Sequence, residues 1–142
     1  MPLWKTLRIT CGDAVRVLLD TQLFLWMVSD APGLSPKARK VLRDDSNDLY
    51  LSLASVWEMA IKISLGKLKL TDPVESFIPD QLQANKIRLL EIGFRHVAGV
   101  VKLPFHHRDP FDRLLISQAQ AEDLPILSAD KAFDLYGVVR LW

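Results

Sequence analysis

The sequence predicts one α/β domain: a parallel sheet of four or five strands with helices on both faces. Three observations carry that prediction. Short apolar runs and amphipathic stretches alternate along the chain, as successive βα units require. The links between them are short and marked by Pro and Gly. The chain has 142 residues, 49% hydrophobic and 25% charged, which suffices for one domain with a proper core.

Arg16-Val17-Leu18-Leu19-Asp20 is a short apolar run that ends in an acid, and it reads as a buried strand. Residues 21–29 follow as a helix, with Leu23, Phe24, Met27 and Val28 on one face, until Asp30-Ala31-Pro32-Gly33 breaks it. Ser35 and Pro36 restart a helix by cap-then-proline chemistry, running to about Arg43. After a polar turn at residues 44–48, Leu49-Tyr50-Leu51-Ser52 is the second strand.

Residues 53–65 form the clearest helix, because Leu53, Val56, Trp57, Ala60, Ile61, Ser64 and Leu65 follow i, i+3, i+4, i+7 spacing and Gly66 ends it. That stripe, like the one holding Phe24, points Trp57 to the core. Trp26 lies off its stripe and is the better contact residue. Asp72-Pro73 opens another helix, which Pro79 is expected to break or kink. Residues 87–92 read as a strand and 94–102 as a helix. Asp109 is an N-cap with Pro110 at the first helical position, so Asp112 stands at N3 among unpaired backbone N–H groups, ahead of a helix to residue 122. Residues 124–128 read as a strand, 130–135 as a helical turn closed by Gly137, and 138–141 as the last strand.

Composition excludes several classes. No apolar run approaches the roughly 18 residues that span a bilayer, and the start lacks a signal peptide's apolar core and cleavage site. Cys11 is the only cysteine, so there is no internal disulfide and no cysteine-based zinc site. A cytoplasmic protein without a membrane partner is expected. The net charge of +1 gives no global sign of nucleic-acid binding, which would need a local basic patch.

The acidic residues carry the chemistry. Ligands of an open α/β sheet bind beyond the carboxyl ends of its strands. Asp20 ends the first strand, Asp130 follows the fourth, Asp112 starts the helix leading into that strand, and Glu58 lies on the helix after the second. All four are able to converge on one rim. Taken singly, Asp20 and Asp130 are ordinary helix caps, and Glu58 with Lys62 is an ordinary i, i+4 surface pair. Four together repel, and a hard divalent cation relieves that repulsion. Oxygen-only ligands point to Mg²⁺ or Mn²⁺ rather than zinc. His106 and His107 lack ligand spacing and read as loop residues touching phosphate or solvent.

From about Arg16 to Trp142 the chain resembles the PIN-domain proteins of the VapC type, ribonuclease toxins of type II toxin–antitoxin pairs. The carriers are Leu18-Leu19-Asp20-Thr21, Ser55-Val56-Trp57-Glu58-Met59-Ala60-Ile61-Lys62, the run from His107 through Asp109-Pro110-Phe111-Asp112-Arg113 to Ile116, and Leu127-Ser128-Ala129-Asp130. The resemblance implies a PIN-like domain at residues 15–142 and a metal-dependent endoribonuclease that hydrolyses RNA phosphodiester bonds through a metal-activated water. It places the catalytic and metal-holding acids on Asp20, Glu58, Asp112 and Asp130. Thr21 and Ser128 match small hydroxyl residues that support the acids. With Lys62, Arg108 and Arg113, which would steer or hold the RNA backbone, they form the expected substrate-binding set. The resemblance further implies a cognate antitoxin as partner and a homodimeric toxin. Gln22 stands where many relatives have His, and residues 1–14 precede the point where relatives begin. Those residues read as a dispensable leader or as an over-extended frame ahead of a Val15 start. Two other readings compete: an acid-rimmed protein-binding module, and an aspartate-nucleophile phosphatase, which Gln22 disfavours because such an enzyme carries an acid two positions after its nucleophile.

Overall fold

In the computed structural model, residues 14–106 and 108–142 are described. The reading of residues 1–13 as a leader, Cys11 and His107 therefore lie outside the described residues. Five strands form one sheet: β1 (Arg16–Leu19), β2 (Asp48–Ser52), β3 (Ile87–Leu90), β4 (Ile126–Leu127) and β5 (Arg140–Leu141), in the order β3-β2-β1-β4-β5. Every pairing is parallel, with Leu18 opposite both Tyr50 and Ile126. The chain runs from β1 outward to β3, then crosses back to place β4 on the other side of β1. The strand order thus reverses between β1 and β4, and a crevice opens beyond their carboxyl ends.

The helices are α1 (Thr21–Val28), α2 (Pro36–Arg43), α3 (Leu53–Ser64), α4 (Val74–Ala84), α5 (Phe94–Gly99) and α6 (Pro110–Glu122), with 3-10 turns at Val100–Lys102 and Lys131–Tyr136. Alternation along β1 divides the core between the two faces. Val17 and Leu19 pack with Leu23, Phe24, Met59 and Phe77 on one side, while Leu18 packs with Leu115, Ile116 and Phe133 on the other. Burial on both faces explains why the strands read as continuous apolar runs.

Three expectations are corrected. Pro79 does not end its helix: α4 runs through it. Pro79 and Glu75, whose carbonyl loses its i+4 partner, are both exposed, where such a loss costs least, and Phe77 and Ile78 hold the helix to the core. The helix expected over 94–102 tightens into a 3-10 turn after Gly99. Finally, α3 buries Ala54, Ser55, Glu58 and Met59 rather than its most apolar stripe, and Trp57 is 56% exposed. Small side chains at 54 and 55 let the helix approach closely, and Thr21 Oγ1 donates to Ser55 Oγ at 2.7 Å across that contact. Trp57 instead meets Phe111 edge-on, with centroids 5.1 Å apart.

Candidate active site

The crevice beyond β1 and β4 is a pocket of about 360 Å³ lined by Asp20, Glu58, Lys62, Asp109, Asp112 and Asp130 on its polar side. Gln22, Leu25 and Trp26, at helical spacing on α1, form another wall, and Thr21 and Ala129 complete the lining.

Each acid arrives by a different local device. Asp20 occupies the N-cap position of α1 with extended backbone, but its side chain makes no capping bond. Its Oδ2 accepts instead from Ser128 Oγ at 2.8 Å, across 108 positions of sequence. The same Ser128 oxygen accepts from the backbone N–H of Asp130 at 3.0 Å. Asp130 does cap: its Oδ1 accepts from Ala132 N at 3.0 Å. Glu58 projects from α3 and is 8% exposed. Its Oε2 accepts from Lys62 Nζ at 2.8 Å, so the i, i+4 pair exists but is not a surface pair. Among the described residues, Glu58 Oε1 is buried with no hydrogen-bond partner. Asp109 caps α6, its Oδ1 accepting from Phe111 N and Asp112 N at 2.8 and 3.1 Å. That cap sets Asp112 in the first turn, at N3.

Electrostatics follow from this crowding. Burial, then the charges of Asp109, Asp20, Glu58 and Asp130, push the Asp112 carboxyl from 3.8 up to about 7. Burial also raises Asp20, assisted by Asp130 and Glu58 and opposed by the Ser128 hydrogen bond. The hydrogen bond to Glu58 raises Lys62 and keeps it charged. Like-charge repulsion is therefore present, but burial is the larger cause at both aspartates.

The expected substrate-binding set divides. Lys62 reaches the pocket with its side chain 46% exposed. Arg108 is exposed and lies outside the pocket lining. Arg113 lies outside the pocket lining and is 5% exposed, its guanidinium donating to the carbonyls of Pro104, Leu103 and Val100 and lying 4.2 Å from the Phe105 ring centroid, so it braces the approach to α6. Ser128 is fully buried and touches Asp20 rather than a substrate. Thr21 is bonded to Ser55 and supports packing between α1 and α3. The described loop histidine, His106, sets its ring edge-on to Tyr136 at 5.1 Å. Sequence reasoning missed Asp109 as a pocket residue. It took Asp109 as a cap alone, although an N-cap three positions before a site acid stands on the same turn.

As donors, these carboxylates fit a hard divalent cation: all are oxygens, they raise one another's proton affinity, and one buried oxygen lacks a partner. Among the described residues, no three of them stand close enough together to read as a preformed metal site. Fold and pocket thus define a class, a parallel α/β domain with a carboxylate-lined crevice where its strand order reverses.

The chain belongs to the PIN domain family, whose model matches residues 17–139. It is 36% identical over 62 residues to Ribonuclease VapC16 of Mycobacterium tuberculosis, a match spanning 44% of this chain and 44% of that protein's length. Its fold is similar to that in the crystal structure of VapBC2 from Rickettsia felis bound to a promoter DNA fragment, with a TM-score of 0.67, 14% identity, and 89% of this chain and 97% of that one covered. It is also similar to FitAcB from Neisseria gonorrhoeae, with a TM-score of 0.55, 20% identity, and 87% and 95% covered. Among the described residues, no helix is long and apolar enough to cross a membrane.

Proposed function

We propose that this chain is a divalent-metal-dependent endoribonuclease, the toxin of a toxin–antitoxin pair. The observation that carries the reading is the meeting of Asp20, Glu58, Asp112 and Asp130 in one pocket at the point where strand order reverses. These four would hold Mg²⁺ or Mn²⁺. Such an ion, when bound, stabilises charge developing on a phosphate and makes water a stronger nucleophile. Ser128 holds the Asp20 carboxylate in one orientation. Glu58 is fixed by Lys62 through Oε2 and presents an Oε1 that has no hydrogen-bond partner among the described residues. Burial and the neighbouring acids raise the Asp112 carboxyl to about 7, so a cation held there would compete with a proton and its affinity should rise with pH. The Lys62 ammonium offers the pocket's positive charge to an RNA phosphate, and exposed Arg108 steers the strand from outside.

Likeness to the relative named Ribonuclease VapC16 supports the nuclease reading. The toxin role is supported by the fold shared with VapBC2 and FitAcB. For partners we propose a small antitoxin and a second copy of the chain. Phe94, Val97, Val101 and Phe105 are all more than half exposed, apolar surface of the kind protein partners cover.

The test is cleavage of single-stranded RNA by the purified chain with Mg²⁺ or Mn²⁺, with EDTA, and by Asp20→Asn. Cleavage that needs the ion and Asp20 is expected. Cleavage that persists in EDTA, or none with either ion, would overturn the reading. Co-expression with the adjacent reading frame, followed by size-exclusion chromatography, tests the partners. A monomer that ignores that product refutes them.

A further inference from the structure

The acidic pocket has a second wall that metal chemistry does not use. Gln22, Leu25 and Trp26 present one face of α1 to it, opposite in character to the carboxylates. Trp26 is half-buried and firmly held. A Cβ on Gly33 would lie 3.2–3.3 Å from Cδ2, Cε2 and Cε3 of the indole. Three bonded ring atoms at nearly equal distance mean that the Gly33 backbone lies over the ring face. A side chain at position 33 would crowd the ring by a few tenths of an ångström, and the Gly33 backbone covers that face. The Trp142 ring lies beside the indole, centroids 6.1 Å apart and planes inclined by 49°. Trp26 also lines the pocket.

One pocket therefore combines a phosphate-attracting charge on Lys62, carboxylates able to hold cations, and a braced aromatic surface. Its volume of about 360 Å³ falls in the roughly 300–1,000 Å³ range of small-ligand sites. Those are the complementary parts of one nucleotide: a phosphate at the polar wall and a base on the ring. We propose that Trp26 is a stacking platform for the nucleobase beside the scissile phosphate. The proposal rests on the nuclease reading and adds a subsite to it.

The experiment compares adenosine 5′-monophosphate with ribose 5-phosphate in the presence of Mg²⁺, by NMR titration of the ¹⁵N-labelled chain, alongside RNA cleavage. Both probes carry the phosphate and one carries a base. The nucleotide is expected to bind on the order of tenfold tighter, the size of one base–aromatic stack, and to shift the Trp26 indole N–H, assigned from its loss in Trp26→Phe. Trp26→Ala should erase the difference and Trp26→Phe keep most of it. Gly33→Ala retains the indole but forces it to move, and should reduce the difference. Equal binding of the two probes, or a difference that survives Trp26→Ala, overturns the subsite. So does a Trp26→Ala chain that cleaves RNA normally but binds its protein partner less tightly, which would assign the wall to protein contact. RNA cleavage without base discrimination sinks the subsite alone. Failure to cleave RNA and to bind either probe sinks the nuclease reading with it.

Discussion

Replacing Asp112 with Asn tests the site through stability as well as activity. In the metal-free chain the Asp112 carboxyl is raised from 3.8 to about 7, by burial first and by neighbouring carboxylates second. Between those values the folded chain keeps a proton that the unfolded chain has lost. The associated stability is fully present below the unfolded value and disappears as pH rises through the folded one. The whole displacement is worth up to about 4 kcal/mol. Asp112 is only part-buried, and solvent screening reduces this to about 2 kcal/mol. Asn has nearly the same shape and does not ionise, so it escapes the loss. It forfeits the attraction between an N3 carboxylate and the helix N-terminus, about 0.5 kcal/mol. Above neutrality Asp112→Asn should therefore exceed wild type by about 1–2 kcal/mol, the two converging at acid pH. Urea unfolding in EDTA at mildly acidic and mildly alkaline pH reads this directly, and RNA cleavage with Mg²⁺ should be lost in the same variant. A variant whose stability falls with pH in parallel with wild type refutes the electrostatic argument. One that cleaves RNA at the wild-type rate refutes the site.

Three further outcomes follow from the same geometry. Ser128→Ala removes the bond that holds the Asp20 carboxyl down, so the acid limb of the cleavage pH profile should move to higher pH, with a stability loss of about 1–3 kcal/mol in urea unfolding. Arg113→Lys keeps the charge but cannot reach three carbonyls at once, and should cost about 2–3 kcal/mol by the same measurement. Trp57→Ala should cost only about 1 kcal/mol, the size of an edge contact, against about 3–5 kcal/mol for a core aromatic, and a loss in the larger range would return Trp57 to the core.

Legibility in the sequence tracked how far each feature depends on local chemistry. Strands buried on both faces are apolar throughout, so β1 and β2 were plain from Leu18-Leu19 and Leu49-Tyr50-Leu51. The cap at Asp109 was equally plain, because Asp-Pro at a helix start acts within four residues. What was not legible depended on side chains acting across the fold. The buried face of α3 is small and polar, Ala54, Ser55 and Glu58, and hydropathy alone ranks the exposed Leu53 and Trp57 above it. Arg113 looks like any surface cation until the bend at Val100, Leu103 and Pro104 presents three carbonyls to it. Asp20 looked like a cap, and only the return of Ser128 beside it shows why its carboxylate turns elsewhere.

The polar interior around α6 answers a question that apolar packing leaves open. Leu115, Ile116 and Ala119 bury the helix against the sheet, but hydrophobic contact has no direction and tolerates small rotations and slides. Hydrogen bonds do not. Ser117 Oγ donates to the His96 carbonyl, and Gln118 accepts from Ser52 Oγ while donating to the Glu91 carbonyl. His96 Nδ1 accepts from Gly93 N, so the ring proton lies on Nε2, facing Glu122 at 3.2 Å. Burial works against the Glu122 charge, but hydrogen bonds from His96 and Arg95 prevail and hold its carboxyl below the usual range. With Arg113 near the start, α6 is pinned along its length to the end of β2, the segment after β3, α5 and the 3-10 turn. Turning the helix by one residue would break all of these bonds together and leave buried polar groups unpaired, at about 1–3 kcal/mol each. Asp112 is carried on the first turn of that helix. Its distance from Asp20 is therefore set by bonds made up to ten residues further along the chain, and changes at Ser117 or Gln118, outside the pocket lining, should act on the site by moving Asp112.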